Sequence, residues 1–148
     1  MNVKEIKKRV KDEISKVCGD SRRCVSLEEA PSVEINNTEF IDSTYSIGED
    51  RWDACKLYQF AKDKGYNTFD MPIAGINLAS KPWTVTTFID FLEHAKRINK
   101  CTFNNPILLD DEGYICDGWH RLAKAILDGH KYIKAIRLET MPEPSNSK

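Results

Sequence analysis

The 148-residue chain contains no run of apolar residues long enough to cross a membrane. A membrane-spanning helix needs about 18 consecutive apolar residues, whereas charged side chains make up 30% of this sequence. The opening residues, MNVKEIKKRVKDEISKV, carry too many charges for a secretory signal peptide. We therefore expect a cytoplasmic protein without a membrane partner, of a length typical of one domain with its own core.

The sequence also lacks paired cysteines. It has five cysteines, and no two of them form a C-x-x-C motif. An odd number of cysteines without a secretory signal is typical of reduced thiols. The three histidines stand at no recognisable zinc-ligand spacing from any cysteine pair, so a zinc site is not expected. The residues concerned are Cys18, Cys24, Cys55, Cys101 and Cys116, with His94, His120 and His130. We interpret His94 and His130 as surface residues without a chemical role.

A strong excess of one charge is absent as well, since the formal net charge is -1 at pH 7. Proteins that coat nucleic acids usually carry a marked basic excess, so this function class is not favoured. Between His94 and Leu138, however, eight Lys or Arg stand against five Asp or Glu. That local excess suits a small anionic ligand or a modest nucleic-acid patch, and an ordinary solvated surface carries the same pattern.

The first 65 residues predict an accessory region. Apolar residues at helical spacing predict a helix over residues 3–18, which Gly19 then ends. A second helix is predicted over residues 51–64, with Asp50 as its cap and Gly65 as its stop. We expect this region to pack on the core as a helical extension and to offer a surface to a protein partner or a homodimer. The expected buried stripe of the second helix consists of Trp52, Cys55, Leu57 and Phe60.

Residues 66–140 predict a small α+β core with a mixed sheet and packed helices. Short apolar runs bounded by turn residues predict strands, and apolar residues at helical spacing predict helices. The predicted strands cover residues 66–70, 106–109, 114–116 and 132–138, with an extended edge around Pro72 at 71–76. The predicted helices cover residues 84–99 and 122–127, and a disordered tail is expected over residues 141–148.

The loop Asp117-Gly118-Trp119-His120-Arg121 carries the strongest chemical signal. A helix begins within or directly after it, and the first N–H groups of a helix attract anions. Gly118 permits a sharp turn and a close ligand approach, while Arg121 provides a planar cation that matches phosphate. His120 can donate a hydrogen bond to a phosphate oxygen or move a proton near neutral pH. The combination predicts a phosphate site at the helix start.

The other two loop residues have several candidate roles. Asp117 is a candidate Mg²⁺ ligand, a catalytic base or a plain helix cap. Trp119 is a stacking surface for a nucleobase or a partner, or a packing residue of the core. The catalytic candidates are therefore Asp117 and His120, and the ligand-binding candidates in the loop are Gly118, Trp119, His120 and Arg121.

The second half of the sequence resembles the ParB/sulfiredoxin superfamily, which includes the ParB-like nuclease domains. The pattern of that superfamily is a V-P-L-like strand, a polar helix, a Pro-containing strand, a hairpin, a G-x-[HR]-R loop that opens a helix, and a closing strand. Over roughly residues 69–138, the order and spacing of the motifs carry the resemblance. The matching stretches are MPIAGI at 71–76, residues 86–98, NPILL at 105–109, DGWHRLAKA at 117–125 and residues 133–138.

The resemblance implies a ParB/sulfiredoxin-like fold and a site for ATP, ADP or CTP. In such a site Gly118, His120 and Arg121 hold the phosphates. A second phosphate contact is implied for Thr86 and Thr87, at the start of the preceding helix. Mg²⁺ is the implied companion of the nucleotide, and Asp117 is its candidate ligand.

Two departures from the pattern narrow the implied activity. Trp119 stands where sulfiredoxins have a reactive cysteine, so sulfinic acid reduction is not expected. The chain ends about ten residues after the last predicted strand, so we expect no helix-turn-helix domain of the kind that partition proteins use. The D-G-x-H-R form of the loop is closest to the free serine kinases of the superfamily.

The leading hypothesis is an NTP-binding enzyme that hydrolyses a terminal phosphate or transfers it to a small molecule or a nucleotide. The alternative is a DNA-binding or nuclease-type ParB-like module, which the local basic excess favours and the net charge opposes. The third hypothesis is a non-catalytic domain that binds a partner protein through its N-terminal segment.

Overall fold

A computed structural model describes residues 2–18, 32–35 and 43–147 of the chain. Contacts divide the chain into two units, Met1–Glu34 and Ile35–Lys148. The first unit contains helix α1, Val3–Cys18, with the bounds that the sequence predicts. A reciprocal capping box starts this helix, because the Asn2 N–H donates to Glu5 and the Glu5 N–H donates back to the Asn2 side chain. The predicted stop at Gly19 and the thiol of Cys24 lie outside the described residues.

The second unit has an α+β fold, as the sequence predicts. Its described strands form a two-stranded hairpin sheet, β1-β2, and a four-stranded sheet in the order β3-β6-β4-β5. Strands β4 and β6 run parallel, and the other neighbours are antiparallel. The strands are β1 (Thr44–Ile47), β2 (Asp50–Asp53), β3 (Phe69–Pro72), β4 (Ile107–Leu109), β5 (Ile115–Asp117) and β6 (Tyr132–Arg137). The helices are α2 (Ala54–Lys64), α3 (Phe88–Lys100) and α4 (Trp119–Leu127).

The core lies on both faces of β4, whose three residues are all buried. Successive side chains of a strand point to opposite faces, so Ile107 and Leu109 join one cluster and Leu108 joins the other. The first cluster includes Leu122 of α4, and the second includes Leu57 of α2. This sandwiched position explains why the strand reads as a continuous apolar run, and it fixes α4 against the sheet.

The start of the second predicted helix is wrong, because residues 50–53 form β2 and pair with β1. Helix α2 begins only at Ala54, so Asp53 occupies the N-cap position that we assigned to Asp50. The buried stripe predicted for this helix also differs, because Cys55 is exposed and Trp52 is a buried residue of strand β2. Gly65 ends the helix as predicted, in a left-handed conformation with φ 70°. Short apolar segments fit either structure locally, and pairing with β1 decides between them here.

The domain boundary and the tail differ from the prediction. Residues 43–64 belong to the same unit as the core, because β1, β2 and α2 supply one of its two apolar clusters. The tail is held rather than disordered: the Trp52 indole donates to the Pro142 carbonyl oxygen at 2.9 Å. The Ser145 N–H donates to the Arg51 carbonyl oxygen at 2.7 Å. The Ser145 bond pairs a backbone oxygen at the outer edge of β2, so the tail covers part of that edge.

Two smaller differences lie before the last strands. Residues 73–75 form a 3₁₀ turn rather than an extended edge, although Pro72 does stand on an edge strand as predicted. Helix α3 starts at Phe88, because Thr87 and Asp90 form a capping box that ends the preceding loop. Within the described part of the chain, no helix has the length and apolar character needed to span a membrane.

Candidate functional site

A cavity of about 1040 Å³ lies where the sequence predicts the phosphate site. This volume is at the upper end of the range for small-molecule sites. All five residues of the predicted loop, 117–121, line it. The β1 strand, the loop before α3 and the β4-β5 hairpin form the other walls. The lining residues are 43–46, 75–77, 80–83, 97 and 112–121.

The first turn of α4 faces this cavity without a side-chain cap. Its first intrahelical bond runs from the Leu122 N–H to the Gly118 carbonyl oxygen, at 2.9 Å. The N–H groups of residues 119–121 therefore precede the helical ladder, and such groups carry a partial positive charge. The helix start on which the prediction depends therefore lines the cavity, and anion binding there stays a prediction.

Gly118 is required here by packing as well as by its backbone. It adopts φ 108°, a left-handed conformation that side chains other than glycine rarely adopt. A Cβ at this position would lie 2.5 Å from Cγ2 of Ile107 and 3.0 Å from Nη2 of Arg121. The structure therefore shows a close approach of the central strand and of the arginine of the same loop, and the close approach of a ligand to Gly118 stays a prediction.

Arg121 is buried behind this turn, with only 5% of the residue exposed. Its Nη2 donates to the Tyr58 hydroxyl at 2.7 Å, to Asp117 Oδ2 at 3.1 Å and to the Pro106 carbonyl oxygen at 3.2 Å. Its Nε is buried and has no acceptor among the described residues. A fixed positive charge with a donor left over thus lies directly under the α4 N-terminus.

Asp117 is held by neighbours on both of its oxygens. Ser43 donates to Oδ1 at 2.9 Å, while Tyr58 and Arg121 both reach Oδ2 at 3.1 Å. The carboxylate does not cap α4, so the cap role predicted for it is wrong. A divalent cation on this carboxylate would be repelled by the paired guanidinium. Among the described residues, no group of three His, Cys, Asp or Glu side chains is arranged to hold a metal ion.

Tyr58 joins α2 to this ion pair, and the sequence gives no sign of it. Its hydroxyl accepts from Arg121 and lies 2.9 Å from the Pro106 carbonyl oxygen, to which it can donate. Burial raises the pKa of Tyr58 well above its usual value, so the hydroxyl stays protonated. Only the fold could reveal this role, because Tyr58 and Arg121 are 63 residues apart.

His120 forms a pair with His94, which we had interpreted as a surface residue without chemistry. His94 is half-buried on α3, and its Nδ1 lies 2.9 Å from Nε2 of His120. Both imidazoles stack on Trp83, with ring centroids 4.3 Å and 4.4 Å from the indole. The third histidine, His130, is exposed as expected.

Both histidines of the pair resist protonation. Burial, followed by the nearby His94 ring and the Arg97 cation, lowers the pKa of His120 to about 4. Burial and the Arg97 charge also lower the pKa of His94 below its usual value. At neutral pH the two rings are therefore uncharged, and each carries one N–H and one acceptor nitrogen.

Thr86 and Thr87 are not part of the cavity wall. Thr87 caps α3, and the N–H groups of both threonines donate to Asp90 Oδ2, at 3.0 Å and 2.9 Å. These bonds lower the pKa of Asp90 to about 2. The start of α3 therefore already holds an anion, the carboxylate of Asp90, so the second phosphate contact expected there is wrong.

Trp119 lines the cavity and also packs against the core cluster that contains Leu122. The packing role that the sequence left open is therefore confirmed, and the stacking role stays a prediction. The structure brings together Asp117, Gly118, Trp119, His120 and Arg121, and it adds Ser43, Tyr58, Trp83 and His94.

Comparison of the chain with protein-family models, curated proteins and solved structures finds no match.

Proposed function

We propose that this cavity binds a nucleotide through its phosphates, and that the chain hydrolyses the terminal phosphate or transfers it to a small acceptor. The observation that carries the proposal is the uncapped first turn of α4 directly above the buried Arg121. Free N–H groups at a helix start form an anion site, and the buried guanidinium, whose Nη2 is bonded to Tyr58, Asp117 and Pro106, supports this turn from behind. The resemblance to the ParB/sulfiredoxin superfamily assigns phosphate to the same loop.

The charges of the cavity wall agree with an anionic ligand. Lys81, Arg97 and Arg121 line it, against the carboxylates of Glu112 and Asp117. Counted as formal charges, three cations of the wall stand against two carboxylates. The balance of the wall is thus positive while His120 is neutral. Phosphoryl transfer depends mainly on positioning and on stabilising the charge of the transition state, which these groups supply.

Aromatic rings provide the surface that a nucleobase needs. Tyr45, Trp83 and Tyr114 line the same cavity as the loop. Stacking of a base on an aromatic face contributes about 1–3 kcal/mol and accepts any base. The proposed ligand therefore spans the cavity, with its phosphates at α4 and its base against one of these rings. Because Asp117 is paired with Arg121, the proposal assigns no metal ion to the protein.

The basic residues of this half of the chain do not favour the DNA-binding alternative. Lys134 pairs with Asp70 at 2.7 Å, and Lys124 lies 4.0 Å from the Asp128 carboxylate. Cations that are already paired with carboxylates release few counterions from a nucleic acid. A small anionic ligand is therefore the better match to this charge distribution.

Isothermal titration with ATP, ADP, CTP and the matching nucleosides tests the proposal. We expect at least one nucleotide to bind, and its nucleoside to bind at least tenfold more weakly. Lys81→Glu, at an exposed position of the cavity wall, should weaken nucleotide binding about fivefold or more through charge repulsion. Lys131→Glu, exposed and outside the wall, is the matched control and should change affinity by less than twofold. Absence of binding, or equal affinity for nucleoside and nucleotide, would contradict the proposal.

A further inference from the structure

The histidine pair beside the cavity has the geometry of a proton-transfer path. His94 Nδ1 and His120 Nε2 are 2.9 Å apart, which is the length of a good hydrogen bond. A neutral imidazole carries one N–H, so one of the facing nitrogens donates and the other accepts. The two ring planes differ by 17°, so the shared proton lies near the plane of both rings.

The pair has two uncharged arrangements of its protons. In one, His120 Nε2 carries the shared proton, which leaves His120 Nδ1 as an acceptor and His94 Nε2 as a donor. In the other, His94 Nδ1 carries it, and the outer nitrogens exchange roles. Moving from the first arrangement to the second takes up a proton at His120 and releases one at His94. No charge remains on the pair after the change.

Trp83 shields this hydrogen bond from water. The two imidazole centroids are 5.2 Å apart, much less than the sum of their distances of 4.3 Å and 4.4 Å from the indole. Both rings therefore lie against the same face of Trp83. A hydrogen bond covered in this way is stronger than one open to water, and its partners stay aligned.

The two ends of the pair have different surroundings. His120 lies in the first turn of α4 and lines the cavity, whereas His94 lies on α3 and is not part of the wall. The charged groups that act on the pair are Arg97, Glu93 and Asp90 from α3, with Asp117 and Arg121 from the loop. Arg97 opposes a charge on either ring. A proton that enters at His120 is thus passed on rather than held.

We propose that His120 and His94 form a proton relay that serves the phosphoryl transfer of this site, an inference that rests on the proposed function. His120 Nδ1 takes the proton of the attacking hydroxyl while its oxygen bonds to phosphorus. At the same time the His120 Nε2 proton passes to His94 Nδ1, and His94 Nε2 releases its proton to water. The bond from phosphorus to the bridging oxygen breaks, and that oxygen leaves with the electron pair. His120 is the catalytic residue, and His94 is its positioning residue.

The first test measures the pair itself, in the protein without nucleotide. Nitrogen NMR at pH 7 should show two neutral imidazoles and a scalar coupling between His94 Nδ1 and His120 Nε2 through the hydrogen bond. His94→Phe should abolish the coupling while an aromatic ring remains under Trp83. Absence of the coupling in the unsubstituted protein, or a charged ring at pH 7, would overturn the relay.

The second test measures turnover of the nucleotide that binds. His94→Phe should lower kcat about tenfold, a fraction of what a general base contributes, and should leave Kd and KM within twofold. In mixtures of H₂O and D₂O, kcat should fall along a curve in the unsubstituted protein and along a line in His94→Phe, because three protons move in the first case and one in the second. His130→Phe makes the same change at an exposed histidine and should change none of these values.

The outcomes separate the two proposals. If no nucleotide binds, the proposed function is wrong, and the coupling alone decides whether the pair exists. If a nucleotide binds and turns over equally well in His94→Phe, the relay is wrong and the binding site stands. A rise in KM without a fall in kcat would likewise overturn the relay, because it would give His94 a role in binding only.

Discussion

Substitution of Gly118 by alanine tests how the α4 N-terminus is built. The alanine would have to adopt the left-handed φ of 108°, and its Cβ would lie 2.5 Å from Ile107 Cγ2. The backbone conformation costs about 1–2 kcal/mol for a residue with a side chain. Forcing an extra carbon against a packed core residue costs about 1–3 kcal/mol more. We therefore expect Gly118→Ala to lower the free energy of unfolding by about 2–5 kcal/mol.

Gly129→Ala is the matched control for this substitution. Gly129 also has a positive φ, 78°, but a Cβ there meets nothing within 4 Å. It should therefore show only the backbone cost of about 1–2 kcal/mol. Urea unfolding of both variants, with unchanged m-values, gives the difference directly. Equal losses in the two variants would refute the close contact between the loop and β4.

The contact can also be isolated by a second substitution at Ile107. Ile107→Ala removes Cγ2, the atom nearest to the new Cβ, at the usual cost of a core cavity. In the double variant, the space left by Cγ2 receives the methyl group of the alanine at position 118. The stability lost in the double variant should therefore be smaller than the sum of the losses in the two single variants. We expect a coupling free energy of about 1–2 kcal/mol in urea unfolding. Additive losses would show that Cγ2 of Ile107 adds nothing to the cost of a side chain at Gly118.

Three further perturbations test neighbouring parts of the account. Tyr58→Phe removes the hydroxyl that accepts a hydrogen bond from Arg121, so urea unfolding should show a free energy of unfolding lower by about 1–3 kcal/mol. Calorimetry should show weaker nucleotide binding by the same variant. No change in either measurement would contradict the network of Tyr58, Arg121 and Asp117. His120 has a pKa of about 4 when folded and 6.5 when unfolded. Between pH 6.5 and pH 4 the unfolded chain therefore binds more protons than the folded chain. The free energy of unfolding should keep its full value above pH 6.5 and fall by about 2 kcal/mol as the pH drops through 4, after allowance for the partial exposure of His120. His120→Gln should lack this component of the pH dependence, and an identical profile would contradict the assignment. Thr87→Ala should lower stability by about 0.5–2 kcal/mol through loss of the cap on Asp90, and a loss of nucleotide affinity there would restore a ligand role to Thr87.

Features that depend on local patterns could be predicted from the sequence. The order of strands and helices after residue 66, the stop at Gly65 and the edge strand at Pro72 all follow from backbone preferences of single residues. The loop at the start of α4 could be located for the same reason, because Gly118 marks the turn and a helical pattern follows it. The α+β class follows from this order.

Features that depend on distant partners could not be predicted in this way. Residues 50–53 have a pattern that suits a helix, and only pairing with β1 makes them a strand. The tail reads as disordered because its partner, the edge of β2, lies about 90 residues earlier. His94 has the polar neighbours of a surface residue, and only the packing of α3 on α4 brings it to His120. Thr86 resembles a phosphate contact in sequence, but Asp90 occupies its donors.

The most direct test of the central claim follows the backbone amides of residues 119–121 by NMR during titration with a nucleotide. If phosphate binds at the α4 N-terminus, these amide signals should show the largest shifts, and the matching nucleoside should leave them almost unchanged. The amides of residues 88–90, at the start of α3, serve as the internal control because Thr87 and Asp90 already close that turn. Shifts confined to residues 88–90, or shifts of residues 119–121 that the nucleoside reproduces, would contradict the account.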